Sequence, residues 1–501
     1  MRFLYLPFLF CVVMIFVSCK HSNVISINNK FEQKQLHTDY HILTNILESK
    51  HPSLYWYTSK DSMDYYFEYY KNKIQDSMTE QEFTWQVIAP LLNKIHCGHT
   101  SVMRSKQSIK QNKNKKSPSF PLELKIWNDT MAVVGNLNDK DSIFKRGTII
   151  KSINGVSSGE IISKMLDHLS EDGYAHNVNY IRISSNFPAM HNYVFGLSKE
   201  YLISYVDTSG NLLSTVLPLY FPRKDTTKNI TKPDSVLNTK KIVYPKIKKI
   251  TKYRSLQIDS TRQFAIMRLN TFSNGRLRRF FRKSFRTIRK HQIPNLIVDI
   301  RTNGGGNVST STLFTKYFSE TKFKVADSVF SKSNNVKPYS KYFKGKWLNN
   351  LGFAFVAKKK SDGKYHLTRY ERKYFKPKVK NHFSGHTYVL INGPTFSASC
   401  LFVNAVKGQQ HISIVGEESG GGWYGNNGIF IPEIKLPNTH IRVNMPLFRV
   451  VQYRHENQNK GKGIWPDIYI PTSYDALKKS YDMKMKVVKE MMLNSNKQPK
   501  S

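Results

Sequence analysis

Acidic residues are scarce in this sequence: 35 Asp and Glu stand against 77 Lys and Arg in 501 residues, a formal charge of +42. Such an excess suits nucleic acid or an anionic membrane when it is focused on one face. Here it is spread. In RLRRFFRKSFRTIRK, Leu277, Phe280, Phe281, Ser284, Phe285 and Ile288 recur at helical spacing, so the arginines form the wet face of a packed helix. No aromatic-and-basic nucleic-acid module is recognisable, and nucleic acid is not expected as a partner. Cysteine is scarce too, with four in the chain. His96, Cys97 and His99 lack a partner cluster of matching spacing, so neither a metal site nor a cofactor is expected.

Residues 1–18, MRFLYLPFLFCVVMIFVS, join one Arg to a long apolar run and then give way to polar KHSNVISINNK. That pattern reads as an export signal rather than a membrane span. Its end, Phe16-Val17-Ser18-Cys19, resembles the lipobox of bacterial lipoproteins, which implies acylation of Cys19 and membrane attachment through the lipidated N-terminus. The residues after Cys19 are not acidic, so the expected place is the periplasmic face of an outer membrane. An ordinary signal peptide with a buried cysteine is the plainer alternative. Attraction to anionic lipid is a secondary expectation.

Composition divides the remainder. Residues 19–102 carry apolar groups at helical spacing and read as a small N-terminal helical domain that ends in HCGHTSV. Residues 103–119 read as a basic, structureless linker. In 120–222 short β-rich runs surround one helical piece, and FKRGTIIKSINGVSSGEII resembles the strand, Asn-Gly turn and helix of a PDZ domain, although the usual Gly-Leu-Gly-Phe loop is missing. A polar, lysine-rich connection follows at 223–262. In 263–475 strand-length apolar runs alternate with helices, which argues for an α/β core with parallel strands covered on both sides. Residues 476–501 read as a C-terminal helix and tail.

Ligands of such sheets sit beyond the carboxyl ends of the strands. Three loops lie there: Arg301-Thr302-Asn303-Gly304-Gly305-Gly306-Asn307 after LIVDI, NGPTFSASC after TYVLI, and Glu417-Glu418-Ser419-Gly420-Gly421-Gly422 after ISIVG. Singly each is a weak signal, since a glycine run is more often just a turn. In this order they resemble the C-terminal processing and tricorn-like serine peptidases. GKGIWPDIYI resembles that family's closing motif, and LLNKIHCGHTSV its histidine segment. The resemblance implies a crotonase-like mixed sheet with flanking helices, and peptides or unfolded proteins as substrates. It says nothing of oligomeric state.

Carried over residue by residue, the resemblance makes Ser397 the nucleophile and leaves Ser399 a cap or filler. Some branches use a lysine base from the loop after the next strand, but EESGGGWYGNNG contains none. The tricorn-like branch uses histidine, which makes His99 the general base and His96 its understudy; imidazole titrates near working pH and can shuttle the proton. Gly98 stands where that branch has an orienting serine, leaving the role open, with Thr100 a candidate. Glu456 is the expected carboxylate behind the imidazole, with Asp467, Glu417 and Glu418 as alternatives. The oxyanion hole would come from the N–H of Ala398 and of Gly304 or Gly305. If Ser397 meets His99, Cys97 and Cys400 approach each other, and a disulfide is open between them. The rival readings are a catalytically inactive peptide-binding scaffold of the same fold and a basic protein that binds anionic polymer.

Overall fold

The computed structural model describes residues 30–113, 117–207, 209–222, 250–345, 357–453 and 456–495. The leader, Cys19 and most of the lysine-rich connection lie outside them. The alternating segment folds into a six-stranded mixed sheet in the order Arg254–Ile258, Phe264–Leu269, Asn295–Asp299, His386–Ile391, Ile412–Gly416, Ile468–Tyr469. Only the first pairing is antiparallel; the others are parallel. All residues of Asn295–Asp299 are buried, as a strand covered on both faces requires. One face packs on Leu277–Lys290, Val308–Thr315 and Ala398–Val406, and the other on the C-terminal helix through Val488 and Met492. In the arginine-rich helix the six residues at helical spacing are the buried ones. Because the central strands run in parallel, the loops after Asp299, Ile391 and Gly416 emerge at one end.

Residues 120–222 form an antiparallel sheet, in the order Leu122–Trp127, Thr130–Asn136, Ile149–Ile153, Glu200–Val206, Leu212–Pro218, around an apolar core shared with helix Ser158–Leu166. Asn154 and Gly155 take φ of 52° and 79°, joining Ile149–Ile153 to the antiparallel Val156–Ser157. Positive φ at both central residues is what a tight hairpin turn demands.

Three boundaries differ from the sequence reading. The basic stretch 103–119 is not structureless: Lys106–Asn112 is a helix whose Ser105 side chain accepts from Ser108 N, while buried Glu80 accepts from Ser105 N and Oγ at 2.6 and 2.8 Å. The connection 223–262 ends early, because Arg254–Ile258 pairs as the edge strand of the core sheet. The N-terminal helices have no core of their own. Leu36, Leu43 and Phe83 share one apolar cluster with Val329, Phe343, Val443 and Val450 of the C-terminal half. Strand Ser101–Met103 pairs with Arg442–Asn444, and buried Asp39 accepts from Asn438 N, Thr439 N and Thr439 Oγ1 at 3.0, 2.8 and 2.6 Å. These contacts bring the histidine segment to the core.

Candidate active site

After strand His386–Ile391 the chain turns at Asn392-Gly393-Pro394-Thr395. Thr395 N–H donates to Asn392 O at 2.7 Å, and its hydroxyl donates to Ile300 O at 3.1 Å, fastening this turn to the neighbouring strand end. Gly393 is needed because a Cβ there would stand 2.5 Å from Asn177 O. Ser397 then takes φ 55° and ψ −120°, and Ala398 opens helix Ala398–Val406. Positive φ in a non-glycine residue costs roughly 1–3 kcal/mol and is held only by its surroundings. A serine on such a turn presents its hydroxyl at the helix N-terminus, where the dipole favours developing negative charge. Ser399 is structural: its hydroxyl donates to Asn303 O at 2.9 Å.

The glycine loop after Asp299 closes over this turn. Gly305 has φ +93°, and a Cβ on it would lie 2.8 Å from both Ser397 Cβ and Ala398 N. Only glycine permits that approach. Its own N–H donates to Asn303 Oδ1 at 2.9 Å, so of the two glycines expected to offer an amide, Gly305 already has an acceptor inside the loop.

His99 arrives from far upstream. Its ring centroid is 4.7 Å from that of Phe396, the residue before Ser397. A Cβ on Gly98 would meet Phe396 Cζ at 2.6 Å, which explains the glycine where a serine was expected. The ideal Cβ position of Gly428 is 4.0 Å from His99 Nε2, and Gly428 lines the same small apolar hollow as Ser397. The structure thus brings the two residues to one place. The His99 side chain is only 7% exposed, and burial pushes its pKa down to about 4, leaving a neutral imidazole at physiological pH.

The carboxylate facing His99 is one the sequence reading missed. Asp172 Oδ1 lies 4.0 Å from His99 Nδ1, and the Asp172 side chain is 2% exposed. It accepts from Gly98 N at 2.9 Å and Gly422 N at 3.3 Å, and burial raises its pKa to about 7. His96 Nδ1 is 2.9 Å from Gly173 O and donates to it, and Gly173 N–H donates to His96 O at 3.0 Å, so the understudy histidine clasps the Asp172 loop. Thr100 does not orient His99. Its hydroxyl is 2.9 Å from Nε2 of buried His51, whose Nδ1 accepts from Ser53 N and whose proton therefore sits on Nε2.

The other acids have structural duties. Glu456 is exposed and accepts from Gln458 Nε2 at 2.5 Å. Glu417 pairs with Lys484 at 2.6 Å, Glu418 accepts from Gly463 N at 2.7 Å, and Asp467 pairs with Lys407 and accepts from Ile414 N. Cys97 and Cys400 are free and buried, so the disulfide is not formed. The Cys97 sulfur accepts from Asn427 Nδ2, whereas the Cys400 thiol faces Thr395 O and Gly421 O.

Residues 263–470 match the family model of peptidase family S41. They form an S41 peptidase domain. Its class is that of the serine peptidases. The fold of the whole chain is similar to that of mature CPAF, with a TM-score of 0.61, 13% identity, and coverage of 93% of this chain and 99% of that one. It is also similar to mature CPAF complexed with lactacystin, with a TM-score of 0.60, 13% identity, and coverage of 92% and 98%. No curated protein matches the sequence.

Proposed function

We propose that the chain is a serine endopeptidase acting on peptides or unfolded proteins, with Ser397 as nucleophile and His99 as base. The observation that carries this reading is the strained Ser397 turn lying against Phe396 and the His99 ring. Ser397 Oγ attacks the scissile carbonyl carbon as His99 Nε2 takes its proton. The forming oxyanion accepts from Ala398 N and from Gly304 N, the Gly305 amide being already committed to Asn303 Oδ1. The imidazolium returns the proton to the leaving amine, and water activated by the same nitrogen then hydrolyses the acyl-enzyme. Asp172, rather than Glu456, would hold the Nδ1 proton and stabilise the imidazolium, once the 4.0 Å gap closes by about 1 Å to hydrogen-bond length.

The 120–222 module serves as a PDZ-like capture domain, adding a substrate strand to its sheet. Its edge strand Leu212–Pro218 supports this, with Leu212 68% and Val216 52% exposed. Anchoring through acylated Cys19 at the periplasmic face of an outer membrane completes the reading. Fluorophosphonate labelling of wild type but not of Ser397→Ala tests it; equal labelling of both rejects Ser397. The inactive scaffold draws on one observation, that His99 Nδ1 is buried without a hydrogen-bond partner. Digestion of an unfolded protein by wild type and not by His99→Ala discards it.

A further inference from the structure

The hollow that contains Ser397 adjoins a much larger cleft of about 770 Å³, and Val308, Val325 and Tyr370 line both. That volume is of the size that takes several groups of a ligand. Its floor is apolar, through Leu313, Leu367 and Phe375, and its walls carry Arg278, Lys316, Arg369 and Lys373 with no acidic residue among them. In a protein whose acids are so few, a basic surface is ordinary; a basic concavity that shares a wall with the Ser397 hollow is not.

None of the four cations forms an ion pair among the described residues. Arg278 donates to Ser309 Oγ at 3.1 Å, while Lys316 and Lys373 both lie over the Phe375 ring, at 5.4 and 5.3 Å. Nearby acids are committed elsewhere: Glu371 to Lys360 and His366, and Asp327 to Lys324. Burial and the like charges of Lys373 and Lys378 hold the Lys316 ammonium below its ordinary value. The lysines therefore crowd one another without an internal counter-charge, which a ligand bearing carboxylates would relieve.

We propose that this cleft receives an acidic segment of the substrate polypeptide, with Asp or Glu side chains meeting Lys316, Lys373, Arg278 and Arg369 while apolar neighbours cover the Leu313–Phe375 floor. The proposal rests on the peptidase reading and narrows its substrate class. A polyanion without apolar groups would satisfy the charges and leave the floor wet. The selectivity comes from pairing these cations with anions in a partly enclosed site, where such contacts are stronger than on open surface.

The test uses the full chain and quenched fluorescent peptides, amidated at the C-terminus so that no terminal carboxylate contributes. A block of three Glu is moved along either side of the scissile bond and compared with Gln at the same places. The expected result is one placement at which Glu raises kcat/KM over Gln by about tenfold or more, declining with salt. In Lys316→Gln and, separately, exposed Lys373→Gln, the Glu-to-Gln ratio falls toward one, with fluorophosphonate labelling retained as the check on folding. Equal cleavage of Glu and Gln peptides at every placement, an unchanged ratio in both variants, or equal competition by dextran sulfate overturns the proposal. Failure of the peptidase reading shows separately, as absent labelling and absent cleavage of every peptide. Anisotropy of the labelled peptides on Ser397→Ala protein still decides the cleft in that case, through tighter binding of Glu than Gln and its loss on adding Lys373→Gln.

Discussion

The turn that carries Ser397 and the loop that carries His99 hold their side chains by different means. Ser397 is set mainly by local geometry, a buried strand, a Gly-Pro turn, a left-handed φ, and a helix that begins at the next residue, with braces from Ile300 and the Gly305 loop of the same sheet. His99 is set by contacts far away in sequence, with Asp172 binding the Gly98 amide, Gly173 clasping His96, and Phe396 tilted against the ring. A locally built element tolerates rearrangement of the domains around it. An element assembled from three distant segments fails when any one is disturbed, so the His99 loop and not the Ser397 turn is the vulnerable half of this site.

Removing the hydroxyl of the proposed nucleophile should have the largest effect. Ser397→Ala is expected to lower kcat on an unfolded protein by roughly 10⁴- to 10⁶-fold, with little change in melting temperature. Retained turnover would place the chemistry elsewhere.

The next variant tests the distant half. Asp172→Asn keeps an acceptor oxygen for only one of the Gly98 and Gly422 amides, which bind Oδ1 and Oδ2, and removes the charge behind His99, and roughly 10²- to 10⁴-fold should be lost in kcat/KM. Glu456→Gln should cost much less. The pH profile separates orientation from mere structure. His99, held near 4, is already a free base at mildly acidic pH, whereas Asp172 loses its proton only around 7 and then supports the imidazolium. Wild-type kcat/KM should therefore rise as pH passes about 7, and Asp172→Asn should lose that limb. Linkage gives stability the opposite slope. A carboxyl whose folded pKa is raised holds its proton longer than the unfolded chain does, so its contribution is full below the unfolded value and fades as pH climbs toward about 7. Melting temperature against pH should flatten in the variant. An equal loss from Glu456→Gln would reverse the assignment.

A smaller effect is expected on the nucleophile side. Gly305→Ala puts a Cβ within 2.8 Å of Ser397 Cβ at φ +93°, displacing the loop. A shift of about 1 Å at a reacting group costs roughly 10²-fold in rate, read as kcat with KM nearly constant. Wild-type kcat in that variant would mean the loop does not constrain the turn.

The same contrast explains what the sequence disclosed. The strand, the glycine loop and the Ser397 turn were readable because apolar runs and Gly or Pro positions are written in consecutive residues. Asp172 was not, since its partners are the backbone amides of Gly98 and Gly422, which leave no side-chain signature, and its loop belongs to the inserted module. Glu456 fits the expected chain order, while its side chain stays in solvent. The basic stretch at 103–119 concealed a helix because lysine content reads as loop. Ser105 three residues before Ser108 was the capping signal that could have exposed it, and buried Glu80 supplies the tertiary hold. In Arg254–Ile258 the pairing with Phe264–Leu269, not composition, makes the strand.

The smallest expected effect concerns the two thiols beside these elements. Cys97 sits with the distant half and Cys400 with the local half, and both are fully buried. Burial pushes each thiol up to about 12, so thiolate is rare at mildly alkaline pH and access is closed as well. Native protein should resist iodoacetamide at both positions, and guanidinium-denatured protein should take it at both, as read by peptide mass. The comparison between the halves predicts how the resistance breaks. Asp172→Asn loosens the loop that holds Gly98, so Cys97 should become reactive before Cys400, whose sulfur is packed by Thr395, Ser419 and Gly421 of the core. Exposure of Cys400 first would mean that the Ser397 turn is the weaker of the two.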